Sequence, residues 1–371
     1  GDQRHDSSTT TSKYGGAPRV VYLEKNDFNN IQSDSNQNKI VEPMSNFSDA
    51  FVKSAYHFLR PYEYKYHFQC KTPKQLKLRP TCNVLHELTD YSLLSMRGSW
   101  RSAWVLQQQP VVLKMLQLRR DFDKESYGYH QIDSMAMERL SSSRHVVDEY
   151  GFCGQSVLVE YEPREGRAAI KDTNLNPRDR VKLARDLSKG LADIHQKGFI
   201  HNDINVANLV GNIKYNDFNI ANMVKWDGEN ECGFPVRFVG PLWRSPEEIL
   251  NKTYVDNKID IYALANVLYQ VMTKHQPWTW LEPGGKKELE QVAKLKIEGH
   301  QPFFPEKFAD SGKISMMALY HATVAAYRAD PKTRPSASDL TRGFDQVLQW
   351  IDKREKTTTN REVQALFDPQ P

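Results

Sequence analysis

The sequence predicts an α+β protein with two lobes and a cleft between them. Three observations carry this expectation. Short runs of β-type residues concentrate between about residues 102 and 161, helical periodicity takes over after about residue 178, and polar low-complexity sequence is confined to the ends. Strand-rich and helix-rich stretches that follow one another, rather than alternate, point away from a parallel βαβ sheet. At 371 residues the chain is longer than one small core needs, which suits a large bilobal domain.

Composition narrows the function. Hydrophobic residues make up 39% and charged residues 26%, an ordinary globular balance. Lys and Arg number 50 against 46 Asp and Glu, a net charge of +4, too small an excess to imply a nucleic-acid partner. No apolar run reaches the roughly 18–20 residues of a membrane span. Four cysteines (Cys70, Cys82, Cys153, Cys232) are too few for a disulfide-built scaffold. A cytoplasmic location is the default expectation. A secretory one stays open, because the chain starts at Gly1 rather than Met and a leader or anchor ahead of it is untested. The sequons at Asn46 and Asn251 would matter only in that second case.

In chain order, residues 1–49 are rich in Ser, Thr, Asn and Gln and are expected to be a disordered tail. Residues 50–87 carry Phe51, Tyr56, Phe58, Tyr62 and further aromatics, and are expected to pack on the main domain as an extension, with a partner-binding surface as the alternative. Ser102–Leu106, Val111–Met115 and Ser156–Tyr161 read as strands, with a helix-like stretch, Asp133–Ser142, between them. Val181, Leu183, Leu187, Leu191 and Ile194 mark the first long helix, and 258–273, 286–298 and 314–328 mark others. Residues 353–371 are polar and expected to be a loose C-terminal tail. Cys70 and Cys82 stand 12 apart and are either free thiols or a bridged pair, whereas Cys153 reads as a packed small hydrophobe.

The densest chemistry lies in Phe199–Val210, which holds His201, Asp203 and Asn208. Phosphoryl transfer needs a carboxylate near the attacking hydroxyl and an amide oxygen on a metal that bridges phosphates. Asp203 and, five residues on, Asn208 supply both types, although each alone also suits a turn. Asp217 follows a short strand-like run and suits a second metal position. Upstream, Lys114 sits in an apolar strand, where an unpaired ammonium is costly, and Glu138 is the expected counter-charge.

The order Lys114, Glu138, Asp203, Asn208, Asp217 resembles the eukaryotic protein kinase family over roughly residues 90–350. Ser245-Pro246-Glu247 resembles its A-P-E element, Asp260 its buried helix-leading Asp, and Asp330–Pro335 its late turn, whose Arg334 is expected to pair with Glu247. The resemblance implies a protein-kinase-like fold with a β-rich N-lobe (88–161) and an α-helical C-lobe (162–352). It also implies ATP and Mg2+ as cofactors and a protein as substrate. By resemblance, Lys114 holds the α- and β-phosphates, Asp203 serves the acceptor hydroxyl, Asn208 and Asp217 bind magnesium, and His201 is structural. Gly98, Ala103, Val112 and Val210 would surround the nucleotide, with the backbone of Glu160, Tyr161 and Glu162 receiving adenine.

Departures from the family pattern temper this. Only Gly98 remains of the three loop glycines that let backbone N–H groups approach phosphate, and Arg101 takes the last glycine's place. Arg101 either faces solvent or reaches a phosphate itself. His-Asn202-Asp replaces His-Arg-Asp, so control through a phosphate on that arginine is not expected. Asn205 replaces a lysine, and Asp217-Phe-Asn219 replaces Asp-Phe-Gly, which predicts a less switchable segment. The expected activity is transfer of the ATP γ-phosphoryl group to Ser or Thr of a protein, with weakened ATP affinity. The alternative is a pseudokinase scaffold acting through protein interactions.

Overall fold

The computed structural model describes residues 82–368 apart from 89, 97–99, 107–110, 237–241, 251–254, 279–288, 306–307, 309–310 and 354–358. The N-terminal tail, Cys70, most of the 50–87 extension, Gly98 and both sequons fall outside the described residues.

The N-lobe is a five-stranded antiparallel sheet built from β1 (Tyr91–Ser95), β2 (Arg101–Leu106), β3 (Val111–Leu116), β4 (Glu149–Cys153) and β5 (Ser156–Glu160), in the order β1-β2-β3-β5-β4. Side chains alternate between its faces. Val111, Leu113 and Leu158 face outward into a cluster with Leu106 and Tyr150, while Val112, Val157 and Val159 face inward with Ala136 and Met137. The outer cluster is completed by Leu85 and Leu88, carried by helix α1 (Cys82–Glu87) and the residue after it. Burying each such leucine contributes roughly 1.5–3 kcal/mol.

The cysteines pair differently from either expected arrangement. Cys82 is bonded to Cys153 of β4, with Cα atoms 5.2 Å apart, and Cys153 is therefore a staple rather than a packing residue. Spacing along the chain suggested Cys70 because it is near in sequence, but the sheet brings position 153 beside α1 across 71 residues. Among the described residues, Cys232 is a free, exposed cysteine.

Helix α2 (Lys124–Arg139) begins nine residues earlier than the expected Asp133 start. Asp123 caps it by accepting from Ser126 N at 2.7 Å. Two lobes meet where β5 runs out. There Lys214 Nζ sits 2.5 Å from Glu160 Oε2 and 3.0 Å from Glu162 Oε1, tying the end of the sheet to the C-lobe.

The C-lobe is helical. It contains α3 (Gly166–Lys171), α4 (Pro177–Gln196), α5 (Pro246–Ile249), α6 (Lys258–Thr273), α7 (Leu289–Ile297), α8 (Ile314–Ala326), α9 (Ala337–Asp352) and α10 (Asn360–Ala365). Its centre is α6, buried along almost its whole length. Helix α4 shows why it forms: Asn176 caps it, Pro177 opens it, and Val181, Ala184, Leu187, Leu191 and Ile194 make one apolar stripe.

The expected loose C-terminal tail is partly ordered. Thr359 and Glu362 form a capping box for α10, and Val363 and Phe367 are fully buried. The Phe367 ring lies 5.0 Å from that of Phe344. It fills the space where a Cβ on Gly343 would stand, which explains a glycine inside α9.

Candidate active site

Four short strands frame the loop that carries Asp203. Phe199–Ile200 pairs with Asn222–Met223, and Leu209–Val210 pairs with Lys214–Tyr215. Between them the backbone is pinned from below by Asp260 at the start of α6. Its carboxylate accepts from His201 N at 2.7 Å and Asn202 N at 2.8 Å, and it lies 3.0 Å from His195 Nε2. Asn202 has φ +61°, in the left-handed region that asparagine tolerates better than most residues. Its side chain donates to Ile220 O at 3.1 Å. Arg244, just ahead of α5, donates to Asn202 O at 2.7 Å and to Glu248 at 3.0 Å. The place of the family's arginine is thus taken by a brace built from protein groups alone.

Asp203 is held by two amides. Asn208 Nδ2 donates to Oδ2 at 2.8 Å and to the Asp203 carbonyl at 2.9 Å, while Asn205 Nδ2 donates to Oδ1 at 3.2 Å. The Asn205 oxygen accepts from Ala207 N at 2.9 Å, so both ends of that amide are engaged inside the loop. His201 is structural, as its family position implies. Its Nδ1 accepts from Asp203 N at 3.3 Å, Nε2 faces Asn216 O at 3.3 Å, and the ring lies tilted against that of Phe218, 4.6 Å between centroids.

Lys114 approaches this loop from the sheet, and Asp217 from the segment that follows Lys214–Tyr215. Lys114 Nζ donates to Asn216 Oδ1 at 2.7 Å, and Asn216 N donates to Asn208 O at 3.0 Å, so the two segments are linked. Burial lowers the Lys114 pKa, and the nearby Arg101 adds to this, while Asp133 opposes it. Asp217 has φ +67° and is partly exposed. Asn219 is not in the left-handed region, so the loss of the family's glycine costs this conformation nothing.

The expected Lys114–Glu138 pairing is not what the structure shows. Glu138 is exposed, on the far side of α2. The inward stripe is Ser126, Tyr129, His130, Asp133, Met137 and Leu140, and five residues of helix put position 138 about 140° from 133. The inward acid is Asp133, fully buried. Its Oδ2 lies 2.6 Å from Arg101 Nη2, and its Oδ1 accepts from Phe218 N at 2.6 Å. Burial works against its charge, but Arg101, Lys114 and the Phe218 N–H hold its carboxyl below the usual range. Arg101 points inward and is itself buried. Burial disfavours its charge, yet Asp133 and Asp217, the latter 3.4 Å away, outweigh this. His130 beside them is pushed down to about 4 by burial and by Arg101, so it is neutral at ordinary pH.

Of the nucleotide residues, Ala103 pairs with Lys114 across β2 and β3, and Val112 lies on the same inner face. Val210 is half-buried below. The β3–β5 ladder ends at Glu160, leaving Tyr161 and Glu162 beyond it. The carboxylates of Glu160 and Glu162 bind Lys214. Sequence reasoning missed Asp133, Asn216 and Arg244. The periodic stripe on α2 was the available signal for Asp133.

The residues suit a magnesium nucleotide. Asp203, Asn208 and Asp217 offer hard oxygen donors, and Lys114 and Arg101 offer positive charge. Among the described residues, no group of three or more His, Cys, Asp or Glu is placed to hold a metal.

Comparison with known proteins agrees with this geometry. Residues 101–343 match the protein kinase domain. The chain is 25% identical over 307 residues to the serine/threonine-protein kinase STY17 of Arabidopsis thaliana, covering 76% of this chain and 47% of that protein. It is 28% identical over 238 residues to the serine/threonine-protein kinase KIC1 of Saccharomyces cerevisiae, covering 62% and 20%. It is 24% identical over 172 residues to human mitogen-activated protein kinase kinase kinase 3, covering 45% and 25%. The chain thus spans less than half the length of each of these relatives. With the two-lobed fold, the anchored Asp203 loop and a match over most of the described domain, the chain belongs to the protein kinase family.

Proposed function

We propose that the chain transfers the γ-phosphoryl group of ATP, with Mg2+, to a Ser or Thr hydroxyl of a protein. The observation that carries this reading is the double amide clamp on Asp203 by Asn205 and Asn208. It fixes the direction of a carboxylate, which is what orienting an acceptor hydroxyl requires. When bound, magnesium would neutralise charge on the transferring group. Asn208 and Asp217 are the residues to hold it, and Lys114, fixed by Asn216, is the residue to hold the α- and β-phosphates. The relatives named as serine/threonine-protein kinases support Ser or Thr as acceptor. The Cys82–Cys153 bridge supports an oxidising compartment, where such bonds persist.

A second reading, a nucleotide-binding scaffold without transfer, is favoured by one observation. Arg101 lies 3.4 Å from Asp217, in space that a metal would share. Thermal shift with Mg-ATP, run beside radiolabelled transfer to a mixed Ser/Thr substrate protein, separates the two. Transfer that falls about 10³-fold in Asp203→Ala, with the thermal shift kept, supports the kinase reading. A shift without transfer to this substrate or to the chain itself supports the scaffold.

A further inference from the structure

We propose that Arg101 is a built-in cation of the nucleotide site, binding the triphosphate through Nη1 so that nucleotide binding depends little on magnesium. This rests on the reading of the cleft as a nucleotide site. Arg101 stands two residues before Ala103, which pairs with Lys114, so both cations project from the same face of the sheet. One arm of the guanidinium is committed: Nη2 lies 2.6 Å from Asp133 and 3.4 Å from Asp217. The other arm is not. Nη1 is buried and has no hydrogen-bond partner among the described residues, and the side chain as a whole is only 6% exposed.

A buried guanidinium N–H without an acceptor is costly, and native structures rarely leave one so. Asp133, itself held by Phe218 N, keeps the fork in place, and Lys114, fixed by Asn216, stands on the same side. Two fixed cations on one face of a sheet are a recognition pattern for phosphate, which a guanidinium binds with strong charge-assisted bonds. The same side chain explains the lost loop glycines. Their backbone N–H groups would bind phosphate from above, whereas Arg101 supplies donors from within the sheet.

The test is calorimetric titration of the full chain with ATP, tripolyphosphate and adenosine, each with excess Mg2+ and with EDTA. The parent is expected to bind ATP in EDTA within about tenfold of its affinity in Mg2+. Arg101→Gln should lose about tenfold or more in EDTA for ATP and tripolyphosphate, recover part of this with Mg2+, and keep its adenosine affinity. Equal loss of ATP and adenosine binding would make Arg101 a purely structural residue and overturn the proposal. ATP affinity unchanged in Arg101→Gln would overturn it while leaving the nucleotide site standing. A parent that binds none of the three probes would overturn the reading of the site itself. Apo melting curves show whether Arg101→Gln is folded. If it is not, Arg101→Lys, which keeps a charge for Asp133 but loses the fork, should show magnesium dependence above the parent's, and a parent-like profile there overturns the role.

Discussion

Arg334 grips both oxygens of Glu247, Nη1 on Oε1 at 2.6 Å and Nη2 on Oε2 at 2.8 Å, with both side chains buried. The remaining donors of the guanidinium reach the carbonyls of Arg328, Lys258 and Ala329, and its face lies over Tyr262. Removing one partner leaves a buried charge without compensation. Arg334→Ala should destabilise the chain by about 3–5 kcal/mol, read from urea denaturation. A change within about 0.5 kcal/mol would mean the pair is not closed in solution.

Asn202 joins three segments from a left-handed backbone position. Asn202→Ala loses the bond to Ile220 and meets a backbone penalty of roughly 1–2 kcal/mol. Asn202→Gly removes the side chain without that penalty. The alanine variant should therefore be the less stable of the two in thermal melts. Phosphoryl transfer should fall in both, with nucleotide binding kept, because Asp203 is the next residue.

Lys296 gives a pH dependence. It is fully buried in α7, donating to Leu242 O at 3.0 Å and Arg244 O at 2.9 Å. Burial pushes its pKa down to about 7, with Glu248 opposing. The unfolded chain, with an ordinary lysine, binds more protons than the folded one above pH 7 and below about 10. Stability should therefore rise with pH in that window, by up to about 1.4 kcal/mol per unit from this group. Lys296→Met should flatten the rise in denaturation series between pH 7 and 9. Identical slopes in the two proteins would show that the ammonium stays charged among those carbonyls.

The Cys82–Cys153 bridge closes 71 residues of chain. On the chain-entropy picture such a loop contributes about 4 kcal/mol by restricting the unfolded state. Cys82→Ser with Cys153→Ser should lower the melting temperature by several degrees. Peptide mass mapping without reductant should recover the bridged pair from the parent. Unlinked Cys82 and Cys153 peptides would refute the pairing.

What the sequence disclosed was chemistry in fixed order along the chain. The Asp260 anchor and the Glu247–Arg334 pair were legible because each is a short pattern with a defined partner pattern. Glu138 misled because order alone ignores helix phase. Asp133 is the acid in phase with Met137 and Leu140. The direction of Arg101 was illegible, since it depends on Asp133 and Asp217 meeting across 84 positions of sequence. The ordered C-terminal helix was hidden in polar sequence, where only Val363 and Phe367, four apart, mark a buried face. The cysteine pairing depended on which strand ends beside α1, which the sheet order decides and local spacing does not.

The same bridge has a mechanical side. Cys82 opens α1, and its bond to Cys153 runs straight into β4. A pull transmitted along the chain from residues before Cys82 would therefore pass through sulfur into β4, bypassing α1, β1 and the other residues between the two cysteines. Arg101 and Lys114 lie inside that bypassed segment. A load on the N-terminal segment would leave the two cation-bearing strands slack, and the ladder between β4 and β5, not the packing of Leu85 and Leu88, would set the force at which the lobe begins to come apart.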